Sequence, residues 1–408
     1  MERQNYELMP KGLLFFRDAR PMDVDKGQKD VRNIGHGSNW PRPDHLFKGA
    51  IHALIGDRMA SLAAIRETSP SGDTSYGQFG ELRVFGPFPK KGDEVYLPRP
   101  LDWDMTPFAC QDVADLPEPL KFGFLDNREG KKSYPAWVKF SDYKTYLAGG
   151  DHNLYVKKEK DEDEKEIEVV KFPYSDDELY VTETHIGNTL DPRTHASKRV
   201  NDQHRSGTYQ GDYLRLKRGV TMWCAMTTGT MRSSREAAPG IPETFILGGQ
   251  GGLVDRVASS FDLGTDLPMV EPVEGKLVRW TLLTPAYFSG NGWLPDWCND
   301  TSGENNTLGT VMLRDDSTAD LIGAQLVGAC VGKPVVYSGW DTKDGVKPTQ
   351  LAVPAGSVYL FRCNNAAAAK KLIQKLHLVP RSQNGNQGFG IGVCSLVDDP
   401  EISKTNNK

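Results

Sequence analysis

Long apolar runs, paired cysteines and a positive net charge are all missing from this chain of 408 residues. No apolar run approaches the roughly 20 residues that span a bilayer, and residues 1–10 lack the charged-then-apolar order of a signal peptide. A cytoplasmic protein without membrane contact is expected. The six cysteines (Cys110, Cys224, Cys298, Cys330, Cys363, Cys394) stand singly, with no CxxC and no Cys/His cluster. That spacing suggests neither a zinc site nor a disulfide framework, and reduced core thiols are expected. The eight histidines form no HExxH or other paired ligand pattern, GxSxG does not occur, and no carboxylate motif marks an acid–base pair. The expectation is therefore no cofactor and no metal, and catalytic constellations are poor, with His195 or His204 as a general base the alternative. The net charge of −5 excludes a general coat of positive potential, so a polyanion would be held by a local patch inside a larger assembly.

What is present suggests two domains, since a domain takes about 100–200 residues. "GLLFFRDARP" (12–21) reads as a strand over residues 13–16 followed at once by charge and proline, a strand end facing something polar. Apolar residues at helical spacing (Leu46, Phe47, Ala50, Leu54, Ile55) predict a helix over 45–66 with Asp44 as its N-cap. "GELRVFGPFP" and "DEVYLPRPLDW" predict a strand pair around "KKGD". Strand, helix, strand pair is the opening order of a ferredoxin-like unit. Residues 105–180 read as an insertion, and "KKEKDEDEKE" (157–166) as a solvated hairpin tip or disordered loop. Strands are expected on both sides of "GGQGG" (248–252). A second run of strands follows, with a helix over residues 366–376, the Gly-rich "NGNQGFGIG" (384–392) and a frayed polar tail after Asp398. The fold class is α+β: two ferredoxin-like domains in tandem, 1–265 with the insertion and a basic hairpin arm at about 188–212, and 266–408 with the Gly-rich loop.

The most basic stretch runs from Asp191 to Arg218, with seven Lys/Arg (Arg193, Lys198, Arg199, Arg205, Arg215, Lys217, Arg218) against three Asp, plus His195 and His204. Such a segment between strands fits a hairpin arm laid across a phosphate backbone, where neutralised phosphates release counterions. The alternative is an ordinary solvated loop. Glycines in the two clusters would let backbone N–H groups approach a phosphate, or they serve only as turns; neither cluster matches GxxxxGK(S/T). Phe15, Phe16, Trp40, Tyr209, Tyr213 and Trp340 could stack on unpaired bases or pack in the core.

In combination, "LLFFRDARPMD", "WPRPDHLFKGAIHALI", "FGPFPKKGDEVYLPRPLD", "ETHIGN", "LGGQGG", "LLTPAYF", "GWLP", "SGWD" and "LAVPAGSVYLF" resemble, in that order and across both halves, the third-subunit family of the type III-B CRISPR effector, the Cmr complex, within the RAMP superfamily. That resemblance implies tandem ferredoxin-like domains and a non-catalytic subunit in antiviral defence. Such a subunit binds and caps the 5′ repeat-derived tag of the CRISPR RNA, pairs with the large polymerase-like subunit, neighbours the backbone RAMP subunit, and meets target RNA only indirectly. Carried onto this chain, it implies RNA contacts from Phe16, Arg17 and Arg20, with Asp18 orienting an arginine, and from Lys48, Gly49 and His52 at a helix start. Arg193, Lys198, Arg199, His204 and Arg205 would act on the arm, with Gly249, Gly251, Arg256, Asn386, Gly388 and Gly390 at the glycine loops. Two competing functions remain at this level: a RAMP-type endoribonuclease using His195 and His204, and a scaffold subunit touching only protein.

Overall fold

The computed structural model describes residues 3–17, 34–35, 40–55, 82–110, 116–127, 131–150, 155–160, 166–188, 190, 193–196, 199–200, 205–206, 208–227, 241–298, 308–315, 318–338, 340–341, 345–346 and 348–405. In chain order the first elements are β1 (Arg3–Pro10), β2 (Ile34–Gly35), α1 (Pro43–Ile55), β3 (Arg83–Lys91), β4 (Glu94–Pro98), β5 (Met105–Ala109) and β6 (Phe122–Asp126). They are followed by β7 (Lys131–Ser133), β8 (Trp137–Lys139), α2 (Phe140–Leu147), β9 (Tyr155–Lys160), β10 (Glu166–Lys171), β11 (Tyr180–Asn188), β12 (Arg199–Val200) and β13 (Arg205–Ser206). Next come β14 (Thr208–Leu216), β15 (Val220–Thr227), β16 (Thr244–Ile246), β17 (Leu253–Ala258), α3 (Leu263–Asp266), β18 (Lys276–Leu282), β19 (Thr310–Asp315) and β20 (Thr318–Cys330). The chain ends with β21 (Val335–Tyr337), β22 (Trp340–Asp341), β23 (Gly345–Val346), β24 (Gln350–Ala352), β25 (Val358–Cys363), α4 (Ala366–Leu376), β26 (Gly392–Asp398) and α5 (Pro400–Thr405). The architecture is mixed α and β, rich in strand and poor in helix, as the α+β expectation required.

The chain divides into two units, 1–92 with 177–260 and 336–349, and 93–176 with 261–335 and 350–408. In the first unit the sheet runs β16-β17-β1-β15-β3. One face packs Tyr6, Leu8, Met222, Cys224, Met226 and Val254 against Leu46, Phe47, Ala50 and Ile51 of α1, and these residues are all buried. The opening strand is not residues 13–16 but β1, paired antiparallel with β15 and β17. Tyr6 and Leu8 point into the core, while Glu7 turns to the opposite face, to Lys90 (2.9 Å), Thr221 (3.1 Å) and Ser259 (3.1 Å), so the strand alternates without looking apolar. Residues 14 and 15 make isolated bridges to Leu214 and Gly249. Helix α1 covers residues 43–55; the expected remainder, 56–66, lies outside the described residues. Asp44 sits in its first turn and binds Arg42 (2.9 Å) and Lys48 (2.8 Å) instead of capping it.

In the second unit the sheet runs β26-β18-β25-β20-β6-β5, with β19 also on β20. Residues 105–180, expected as an insertion into the first domain, supply two of these strands. β6 pairs with β20 at Gly328↔Phe122, a partnership across some two hundred residues that no local pattern announces. Trp280, Leu282, Tyr359 and Phe361 form the core with Leu372, Ile373 and Leu376 of α4. That helix forms where its periodicity placed it, with the Asn365 side chain accepting from the Ala368 N–H at 2.9 Å. Of the run 157–166, residues 157–160 and 166 belong to the antiparallel pair β9–β10, whose register sets Glu166 opposite Lys160 and Glu168 opposite Lys158, and 161–165 lie outside the described residues. The tail does not fray directly after Asp398. Asp399 is buried, accepts the Glu401 N–H at 3.0 Å and binds Arg362 twice at 2.9 Å, which anchors α5.

Candidate nucleic-acid interface

The described residues of the basic stretch belong to a hairpin. β11 and β14 pair antiparallel over nine residues each, from Tyr180↔Leu216 to Asn188↔Thr208, and β12 and β13 pair beyond them at Arg199↔Ser206 and Val200↔Arg205. The stem therefore begins eight residues before the arm expected at 188, and β2 joins it parallel at Gln210↔Ile34. Opposite residues in an antiparallel ladder share a face, so Glu183 with Tyr213 and His185 with Gly211 lie on one side. Leu214 on the other side is buried against Leu14 in the core.

The outward face carries a row of rings. Phe15 and Tyr213 have ring centroids 5.3 Å apart, and Tyr213 and His185 5.4 Å apart. All three are partly or largely exposed. Two glycines make room for them. A Cβ at Gly211 would come within 3.0 Å of the Tyr213 ring, and one at Gly249 within 3.1 Å of the Phe15 ring. Beside the row, Arg215 grips Glu183 with two nitrogens, one at 2.9 Å, and His185 Nε2 lies 3.3 Å from the same carboxylate. Hydrogen bonds from Arg215 and then His185 hold the Glu183 carboxyl below its ordinary pKa. Arg17 is exposed two residues from Phe15, and Lys217 and Arg218 are exposed where the hairpin leaves the sheet. Ile186 (80% exposed) and Leu190 (51%) add an apolar element to the arm.

The structure sorts the expected contact residues unevenly. Phe16 is 1% exposed and stacks on His45 at 5.1 Å, so it is a core residue, whereas its neighbour Phe15 faces out. Period two alone carries this distinction: Leu14 and Phe16 share one face, Phe15 the other. Lys48 and Gly49 lie in the second turn of α1, not at a helix start. Lys48 is committed to Asp44, and Gly49 is buried so closely that a Cβ there would meet Leu247 at 2.9 Å. His52 is exposed on the same helix, held below its ordinary pKa by partial burial and by the Lys48 charge. Arg256 turns inward, donating to the Ile241 carbonyl at 2.8 Å and stacking over Tyr6 at 4.4 Å. Gly249 donates its N–H to the Phe15 carbonyl at 2.8 Å, while Gly251 is exposed at φ 69°. In the second unit Gly388 and Gly390 are buried, with their N–H groups donating to the carbonyls of Gly385 (3.0 Å) and Pro285 (2.8 Å); Asn386 is half-buried in the turn just before Gly388. That loop is packed and hydrogen-bonded within the chain and does not offer those N–H groups to a phosphate. Arg193 is exposed on the arm; Arg199 and Arg205 stand on β12 and β13. Asp18, Arg20, Lys198 and His204 lie outside the described residues. His195 is exposed at φ 54°. Among the described residues no group of three or more His, Cys, Asp or Glu could hold a metal ion, and no helix is long and apolar enough to cross a membrane.

A strand-rich α+β chain with a cationic hairpin is the class these features define. Residues 6–396 match the family CRISPR-associated protein (Cas_Cmr3), and the chain belongs to that family, the third-subunit family of the type III-B CRISPR effector that its motifs resemble. No curated protein sequence matches. Among solved structures the chain is similar to one in the type III-B Cmr-beta complex bound to cognate target RNA, at 13% identity and a TM-score of 0.42, over 88% of this chain and 86% of that one. It is also similar to one in the same kind of complex bound to target RNA and AMPPnP (13%, TM-score 0.40, 91% and 89%) and to one in the Csm3–Csm4 subcomplex of type III-A (11%, TM-score 0.37, 87% and 92%).

Proposed function

We propose that this chain binds and caps the 5′ repeat-derived tag of a CRISPR RNA in a type III-B complex, without cutting it. In the same proposal it pairs with the large polymerase-like subunit, neighbours the backbone RAMP subunit, meets target RNA only indirectly, works in the cytoplasm and is built from two ferredoxin-like domains. Family membership supports the setting. The observation that carries the RNA contact is the hairpin β11–β14, which bears the most basic segment of a chain whose net charge is −5. A local cationic element on an acidic chain favours a specific docking place over general polyanion binding.

The test is ultraviolet crosslinking with mass spectrometry on the protein co-purified with its partners and guide RNA. Crosslinks from peptides holding Phe15–Arg17 or Arg193–Arg218 to tag nucleotides are expected. RNA present in the complex with crosslinks to partners alone would replace this proposal with a protein-only scaffold. Cleavage of repeat RNA lost in the His195→Ala, His204→Ala double variant would replace it with an endoribonuclease.

A further inference from the structure

We infer that Phe15, Tyr213 and His185 form a stacking platform for an unpaired nucleobase, so that the hairpin reads exposed bases as well as phosphates. The inference rests on the RNA contact proposed above and goes beyond it in ligand chemistry and in residues.

Three observations carry it. First, the rings are consecutive neighbours, 5.3 and 5.4 Å between centroids, assembled from β11, β14 and the segment after β1. Rings gathered from three places in the sequence onto one outer face are a surface feature of the fold. Second, the faces that normally receive a side chain are glycine: Gly211 lies opposite His185 and beneath Tyr213, and Gly249 bridges Phe15. A larger residue at either place would displace a ring. Third, the row reaches the surface above a buried layer: His185 is exposed and Phe15 and Tyr213 are half-buried, while Leu14, Phe16 and Leu214 beneath them are buried. The cation nearest the rings along the hairpin, Arg215, is tied to Glu183. What the row offers a ligand is therefore π-surface, with Arg17 able to meet the phosphate beside it. Stacking on aromatic rings accepts any base, but only one that is out of a duplex.

The experiment uses the full-length chain and two fluorescein-labelled probes, an RNA octamer of adenosines and an octamer of the same backbone lacking bases, with anisotropy followed across a salt series. Phe15→Leu and Tyr213→Leu are each expected to weaken the adenosine octamer about tenfold, with the slope of log affinity against log salt unchanged because no cation is lost. Tyr213→Phe should bind within about twofold of the parent, and neither Leu variant should alter binding of the base-free strand. His185→Ala, at a half-exposed position, gives a second reading if a Leu variant proves unstable, and is expected to weaken the adenosine octamer alone. Ring variants that bind the octamer as the parent does would overturn the platform while leaving the RNA contact standing, as would a parent that binds both probes equally. A parent that binds neither probe would overturn both.

Discussion

The hairpin β11–β14 and the ionic cluster around Arg279 use the same side-chain types to opposite ends. On the hairpin, Arg215, Lys217 and Arg218 are exposed, and Arg215 meets Glu183 in water. In the second unit Arg279 is buried. It donates to Ser395 (2.8 Å) and the Tyr146 carbonyl (2.9 Å), stacks on the Tyr146 ring at 3.9 Å, and lies 3.6 Å from Asp102, which in turn accepts from the Tyr146 hydroxyl at 2.5 Å. A charge removed from water is tolerable only while every partner is kept, whereas a charge left in water is available to a ligand and nearly irrelevant to stability. The cluster holds a core together, and the hairpin's cations stay at the surface.

The largest effect expected from this contrast is at Arg279. Arg279→Met should destabilise the protein by about 3–5 kcal/mol, because it leaves the Asp102 carboxylate buried without its counter-charge. Urea unfolding monitored by tryptophan fluorescence measures it. Adding Asp102→Leu to the same chain should recover part of the loss, since an apolar pair is often no worse than a buried ion pair; a double variant weaker than the single one would mean that packing, not charge, is what Arg279 supplies.

The two glycine turns repeat the contrast. At Gly390, φ is 67° and a Cβ would lie 2.1 Å from that of Ser382, so Gly390→Ala should cost at least about 2 kcal/mol. At Gly251, φ is 69° but a Cβ meets open space, so Gly251→Ala should cost only the backbone penalty of about 1 kcal/mol. Both are read from the same urea midpoints, and equal costs would erase the distinction between a packed turn and an open one.

Acid should act through two packed histidines, His45, which is half-buried, and His377, which is buried. His45 is pushed down to about 3, chiefly by burial, and His377 is also held below its ordinary value by burial. Both Nδ1 atoms accept a backbone N–H at 3.2 Å, from Arg42 and Cys394 respectively, and a proton there would set N–H against N–H. The unfolded chain takes up protons near pH 6.5 and the folded chain only at lower pH, so stability is whole above that pH and falls as pH drops below it. Each histidine contributes a slope of up to about 1.4 kcal/mol per pH unit. His377→Gln should flatten the decline between pH 6.5 and 5; an unchanged profile would move the proton uptake elsewhere.

How much of this was legible depended on the range of the interaction. Helix α4 follows from Asn365 and its own apolar spacing, and β16 and β17 from the runs flanking the glycines, because each is decided within a dozen residues. The division into units was not, since β5 and β6 find their sheet through β20, far along the chain. β1 was hidden because Glu7 sits on the face opposite the core, where Lys90, Thr221 and Ser259 hold it. At the candidate site the basic segment announced the hairpin, and "LLFF" announced rings. Which phenylalanine faces out needed the strand direction, and that the other ring would be Tyr213 needed the pairing of Leu14 with Leu214.

The smallest stability effect should accompany a measurable binding effect. Arg215→Ala on an exposed strand is expected to leave the urea midpoint within error, because a solvated pair contributes little net stability. Replacing Arg193, Lys198, Arg199 and Arg205 with Ala should likewise leave folding intact while lowering the salt slope of RNA binding by roughly one unit per lost phosphate contact. The two measurements separate what Arg279 joins: a variant set that lost stability and kept its salt slope would place the arm's cations among the structural ones. A flattened slope at constant stability, combined with unaltered base discrimination, would divide the hairpin's work between cations that hold the backbone and rings that hold the bases.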